Sequence, residues 1–126
     1  MIFDSVVIIE SDPISVFLYK KVISQYMIRE PSIFTEVRSA IRFITEQISN
    51  GQQFPDIILL DPKLLEPEAF EFMDELSGLP IHPTIIVITN FISGKDRERL
   101  RTYDVLHILD KPLTRDKFEQ VLHQKN

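Results

Sequence analysis

Three short apolar runs in this chain each lead into one reactive polar residue. Ile57 to Leu60 ends in Asp61, Thr84 to Ile88 ends in Thr89, and Val105 to Leu109 stops just before Asp110 and Lys111. A fourth run, Val6-Val7-Ile8-Ile9, is β-branched and apolar without alternation, the pattern of a strand buried on both faces. If such runs are neighbouring parallel strands, their polar ends gather at the carboxyl edge of one sheet, where open α/β folds build their sites. A carboxylate, a hydroxyl and an ammonium gathered there point to phosphate chemistry.

The segments between the runs read as helices. Asp12 before Pro13 makes an N-cap followed by proline at the first helical position, and Ile14, Phe17, Leu18, Val22 and Met27 recur at helical spacing. Ile33-Phe34-Thr35 is a weak second strand after Pro31. Val37, Ile41, Ile44 and Ile48 form a helical stripe that ends before Asn50-Gly51. Pro55 sets up a strand from Asp56 to Leu60. Pro67 opens a helix carrying Phe70, Met73 and Leu76 that closes at Gly78, and Ser93 to Asp96 resembles a capping box for a short polar helix reaching about Tyr103. Thr114 caps a last helix with Phe118, Val121 and Leu122 facing inward. Five strands alternating with five helices require right-handed crossovers and a mostly parallel sheet covered on both faces, an α/β/α sandwich.

Size and charge narrow the function. At 126 residues with 44% hydrophobic content the chain is expected to form one domain spanning residues 1–126. A net charge of -5 and a pI near 5.1 argue against direct nucleic-acid binding, which draws on concentrated Lys and Arg. The absence of cysteine rules out a disulfide framework and a thiolate metal site and fits a reducing compartment. No basic leader precedes Val6 and no apolar stretch is long enough to span a bilayer, so the expectation is a cytoplasmic protein without a membrane partner.

Each candidate residue also has a plain structural reading. Asp61, following Ile57-Ile58-Leu59-Leu60, could be a nucleophile or metal ligand, or ordinary turn chemistry before Pro62. Glu10 and Asp12 offer the clustered oxygens that Mg²⁺ requires, although Asp12 also reads as a helix cap. Thr89 can donate to a phosphoryl oxygen, or be there for strand propensity alone. Lys111 can neutralise phosphate charge, or be a solvated lysine.

Taken in order, these residues resemble a response-regulator receiver domain of bacterial two-component signalling, of the CheY-like superfamily, over all five βα units. The resemblance implies a flavodoxin-like fold with strand order 2-1-3-4-5. It implies that Asp61 in DIILLD is the phosphoacceptor, Thr89 in IIVIT the hydroxyl partner and Lys111 in Lys111-Pro112 the cation, with the bond into Pro112 cis. It implies Mg²⁺ held by Glu10, Asp61 and the backbone carbonyl of Lys63, with Asp12 as a further candidate. The implied partners are a histidine kinase or phosphotransfer protein and a downstream protein target. The expectation is a stand-alone receiver, not an enzyme, that accepts a phosphoryl group and signals by contact.

The chain departs from the receiver pattern at several positions. Pro13 fixes the register so that Glu10 and Ser11 occupy the places of two acids, and Ser11, lacking charge, is expected to weaken Mg²⁺ binding. Leu64-Leu65 stands where methionine-proline is usual, and Ala69 where glycine is. Lys63 and Asn90 occupy positions that tune phosphoryl lifetime. The aromatic switch position falls on Ile108 or His107. These departures keep open a rival reading as a phosphorylation-independent pseudo-receiver. The Lys95 to Arg101 charge run reads as a solvated helix or a docking face. A flavin carrier is disfavoured because the acidic Glu10-Ser11-Asp12 turn would repel a cofactor phosphate, and a haloacid-dehalogenase-type phosphatase because Asp61-Pro62-Lys63 lacks its second aspartate.

Overall fold

The computed structural model describes residues 2–52, 54–61, 68–103, 105 and 107–123. In chain order the elements are β1 (Val6–Ile9), α1 (Pro13–Ile23), a 3-10 turn (Ser24–Tyr26), β2 (Ser32–Phe34), α2 (Val37–Ser49) and β3 (Ile57–Leu60). They continue with α3 (Glu68–Ser77), β4 (Thr84–Thr89), α4 (Gly94–Arg101), β5 (His107–Asp110) and α5 (Arg115–His123). The strands form one sheet in the order β2-β1-β3-β4-β5, and every pairing is parallel.

The unalternated runs are explained by burial on both sides. Val7, Ile9, Ile58, Leu60 and Val87 face a cluster with α2, α3 and α4, while Val6, Ile8, Ile57, Leu59, Ile86 and Ile88 face one with α1 and α5. Every side chain of β1 and β3 therefore belongs to a core, and the sheet is the middle layer of an α/β/α sandwich.

The helix ends follow local chemistry. Asp12 caps α1, accepting from the Ile14 N–H at 3.3 Å, and Ser93 caps α4, accepting from the Asp96 N–H at 3.1 Å. Thr114 accepts from the Lys117 N–H at 3.2 Å at the start of α5. Gly51, at φ 83°, turns the chain out of α2 in the left-handed region that glycine enters without a Cβ clash. Its N–H reaches the Ile48 carbonyl at 2.9 Å.

Three expectations are corrected. The apolar stripe of α1 is only in part its buried face: Ile14 and Phe17 are 70% and 63% exposed, Val22 packs half-buried against the core, and the fully buried positions are Ser15, Tyr19 and Ile23. Met27 lies beyond the helix, in a bridge with Phe3. Val105 is buried but precedes β5, because its N–H bonds the Leu100 carbonyl at the end of α4 instead of a neighbouring strand. The strand instead extends to Asp110, which pairs with Thr89.

Candidate functional site

Glu10, Asp61 and Lys111 each lie at the carboxyl edge of the sheet with their backbones still on its ladder. Glu10 N–H donates to the Phe34 carbonyl at 2.9 Å, Asp61 N–H to that of Ile9 at 3.1 Å, and Lys111 N–H to that of Thr89 at 2.9 Å. The period of two along a strand then turns their side chains to the face of Ile8, Leu59 and Leu109, which α1 and α5 cover. The three groups meet there. Lys111 Nζ lies 2.9 Å from Asp61 Oδ2 and 3.0 Å from Glu10 Oε1.

This cluster is shielded from solvent, with Glu10 and Asp61 only 1% and 4% exposed. Burial works against the charge on Lys111, but hydrogen bonds to Asp61 and then Glu10 outweigh it and raise the lysine above its ordinary value. The ammonium is thus the bound counter-charge of both acids.

Glu10 has two further donors. Tyr19 Oη on α1 donates to Oε1 at 2.8 Å, and the Asp12 N–H donates to Oε2 at 3.1 Å. Burial, followed by the hydrogen bond to Glu10, pushes the Tyr19 phenol far above its usual range. Tyr19 is absent from the residues singled out in the sequence, because apolar periodicity alone marks a different side of α1. The usable signal was Ser15, Tyr19 and Ile23 at i, i+4 and i+8, one continuous face following the Asp12 cap.

Thr89 is buried beside the cluster but oriented differently. It shares parity with Val87, on the opposite face of the sheet, and its hydroxyl donates to the Phe91 carbonyl at 3.0 Å while accepting from the Phe91 N–H at 3.3 Å. The sheet brings it to the same edge as Asp61 with its hydroxyl engaged in a local turn. Asp12 serves as a cap: its other oxygen accepts from Ser15 Oγ at 2.8 Å, and this bond holds the carboxyl below the usual carboxylate range. Ser11 and Asn90 are exposed. Ala69 falls in the first turn of α3. Lys63, Leu64 and Leu65 lie outside the described residues. The Lys111–Pro112 bond is cis, as the resemblance implies, and so is Phe54–Pro55.

At the switch position, Ile108 pairs with Val87 and packs partly buried against the α2/α3/α4 cluster, while His107 pairs with Ile86. The aromatic group in this region is instead Tyr103, just past α4. Its hydroxyl donates to Asp74 of α3 at 2.6 Å, and its ring stacks on Phe70, over which the Arg99 guanidinium sits at 3.8 Å. Part of the α4 charge run is therefore packed onto α3.

The oxygens of the two buried carboxylates, Glu10 and Asp61, are hard donors of the kind Mg²⁺ takes. The donor set therefore fits a divalent cation, with Glu10 and Asp61 as the residues that would hold it. Among the described residues no group of three or more His, Asp or Glu is arranged for a metal. No helix among them is long and apolar enough to cross a membrane.

The family model for the response regulator receiver domain matches residues 6–123. Among solved structures, a two-component response regulator from Cytophaga hutchinsonii superposes with a TM-score of 0.77 at 21% identity, covering 98% of this chain and 100% of that one. A response regulator receiver protein from Burkholderia phymatum gives 0.73 at 18% identity, covering 94% and 91%. The Mn²⁺-bound form of the response regulator Rcp1 gives 0.71 at 22% identity, covering 94% and 88%. At these identities the structures speak to the fold alone. A search of curated proteins finds no match.

Proposed function

The chain belongs to the response regulator receiver domain family, and from this premise we propose that it relays two-component signals by accepting a phosphoryl group on Asp61. The observation that carries this reading is the Glu10–Lys111–Asp61 cluster at the carboxyl edge of the sheet, with Lys111 within 3.0 Å of both acids. A carboxylate oxygen of Asp61 attacks phosphorus in line. The P–N bond to the donor's phosphohistidine breaks, and the imidazole leaves with a proton from solvent. Most of the work in such a transfer is positioning and charge neutralisation. Lys111 meets the incoming phosphoryl charge, and Glu10 and Asp61 are the residues that would hold Mg²⁺, which when bound screens the oxygens of donor and acceptor. Response regulator Rcp1, similar in fold, has been seen with Mn²⁺.

The acyl phosphate carries about -1.5 to -2 charge where the carboxylate carried about -1, and adds acceptor oxygens next to the turn in which Thr89 is bonded to Phe91. A hydroxyl drawn from that turn toward the phosphoryl oxygens would loosen the start of the β4–α4 loop, where Phe91 is 78% exposed. The output is contact with a protein target. In this reading the chain is not a turnover enzyme, its donor is a cytoplasmic histidine kinase or phosphotransfer protein, and Ser11 makes Mg²⁺ binding weak.

The test is intact mass after incubation with acetyl phosphate and Mg²⁺. One phosphoryl adduct is expected on the native chain and none on Asp61→Asn. An unmodified native chain after prolonged exposure would instead support a phosphorylation-independent interaction module. A second prediction concerns the thinned acidic corner. Ser11→Asp adds a carboxylate directly after Glu10 and is expected to tighten Mg²⁺ by about tenfold, since ligand charge sets affinity for hard cations. With no tryptophan in the chain, NMR shifts of the Glu10 and Asp61 amides are the readout. Unchanged affinity would contradict the register that places Ser11 at the metal.

A further inference from the structure

Glu10 is more heavily engaged than its role as a cation ligand requires. A carboxylate has about four acceptor positions, and three are taken: Oε1 by Tyr19 Oη at 2.8 Å and Lys111 Nζ at 3.0 Å, Oε2 by the Asp12 N–H at 3.1 Å. Tyr19 and Glu10 are each 1% exposed, so neither has water as a ready substitute. A phenol so deeply buried needs a partner for its hydroxyl, and among the described residues no buried side-chain polar atom lacks one. If Oε1 turned to a cation, Tyr19 would lose its carboxylate acceptor and keep only the neutral Ser15 hydroxyl beside it.

We propose that Tyr19 is a positioning residue that holds Glu10 against Lys111 and withholds its Oε1 from a divalent cation, so that the lysine is the resident counter-charge. The proposal rests on the reading of Glu10 as a metal-holding residue and adds how its availability is set. Three observations converge on it. The hydroxyl and the ammonium share one oxygen. The Asp12 N–H fixes the other oxygen. Tyr19 belongs to the face of α1, with Ser15 and Ile23, that packs toward the sheet beneath the site. A donated hydrogen bond draws electron density from the carboxylate, and a hard cation binds best where that density is undiminished.

Tyr19→Phe keeps the ring and deletes only the donor. In an NMR titration of the whole chain with Mg²⁺ alone, read at the Glu10 and Asp61 amides, the variant is expected to bind about tenfold more tightly, the equivalent of one hydrogen bond to a charged group. A purely structural tyrosine would lower thermal stability and leave Mg²⁺ affinity unchanged or weaker, and either result overturns the proposal, as does absence of binding in both proteins. Should Tyr19→Phe fail to fold, the native chain carries the test. Saturation with Mg²⁺ must shift the Tyr19 ring carbon resonances as Glu10 leaves the hydroxyl, and a ring unmoved at saturation rejects the idea. Because no phosphoryl donor is present, this outcome is separate from adduct formation on Asp61. An adduct that forms while Tyr19→Phe leaves Mg²⁺ affinity unaltered sinks only the role of Tyr19.

Discussion

Replacement of Lys111 by methionine is expected to destabilise the protein by about 3 kcal/mol near neutral pH, and by less in strong alkali. The ammonium sits between two carboxylates that are almost wholly buried, at 2.9 Å and 3.0 Å. Breaking a buried ion pair from one side leaves an uncompensated charge, typically at a cost of about 3–5 kcal/mol. The lower figure applies here because the Lys111 side chain keeps 13% of its surface in water. In the native protein the sign of the pH dependence is set by the raised lysine. Its folded value lies above that of a free lysine, so its contribution is complete below the free value and is lost only as pH climbs past the raised one.

In Lys111→Met that contribution is absent at every pH. The deficit against the native protein is therefore full near neutral pH and shrinks as pH climbs past the raised value of the native lysine. Urea unfolding followed by circular dichroism at neutral and at strongly alkaline pH checks this. An equal deficit at both would assign the loss to packing of the lysine stem and remove the electrostatic account. Added Mg²⁺ should restore part of the stability at pH 7, because it binds the folded state and not the unfolded chain.

The stem of this site was legible in the residues themselves. Unalternated runs mark strands buried on both faces, and the polar residue at the end of each marks the edge where such sheets collect side chains. The strand order came from the resemblance, since hydrophobic runs do not carry the sequence of neighbours in a sheet. What escaped was direction. Parity separates Thr89 from Glu10, Asp61 and Lys111, but shows only once the ladder register is known. Tyr19 escaped because amphipathicity weighs apolar residues, and α1 buries a serine and a tyrosine opposite the acids while leaving Ile14 and Phe17 in solvent. Helix α4 shows the converse. Its charge run reads as solvated, yet Arg99 lies on Phe70, and the neighbouring Tyr103 bonds Asp74, contacts between residues far apart in sequence.

The same contrast between apolar residues that pack and apolar residues that do not underlies the largest stability effect expected. Phe118 of α5 is fully buried, with the Tyr26 ring at 5.3 Å and the Phe3 ring at 6.3 Å, in the cluster that also holds Tyr19 and Ile23. Truncation to alanine removes both ring contacts and leaves a cavity that helices anchored to the sheet can only partly close. Phe118→Ala should therefore cost about 3–5 kcal/mol in urea unfolding, and Phe118→Leu distinctly less because most of the volume is kept. Ile14→Ala and Phe17→Ala, on the exposed side of α1, should change stability by no more than about 0.5 kcal/mol. The damage at Phe118 should also reach the site. The turn carrying Lys111 is held to α5 by Lys117, the residue directly before Phe118, whose Nζ donates to the carbonyls of Asp110 at 2.9 Å and Pro112 at 3.1 Å. In the fraction of Phe118→Ala that remains folded, the NMR signals of Lys111 and Asp61 should therefore broaden or shift while those of β2, across the sheet, stay in place. Unmoved site signals would show that α5 supports stability without positioning the lysine.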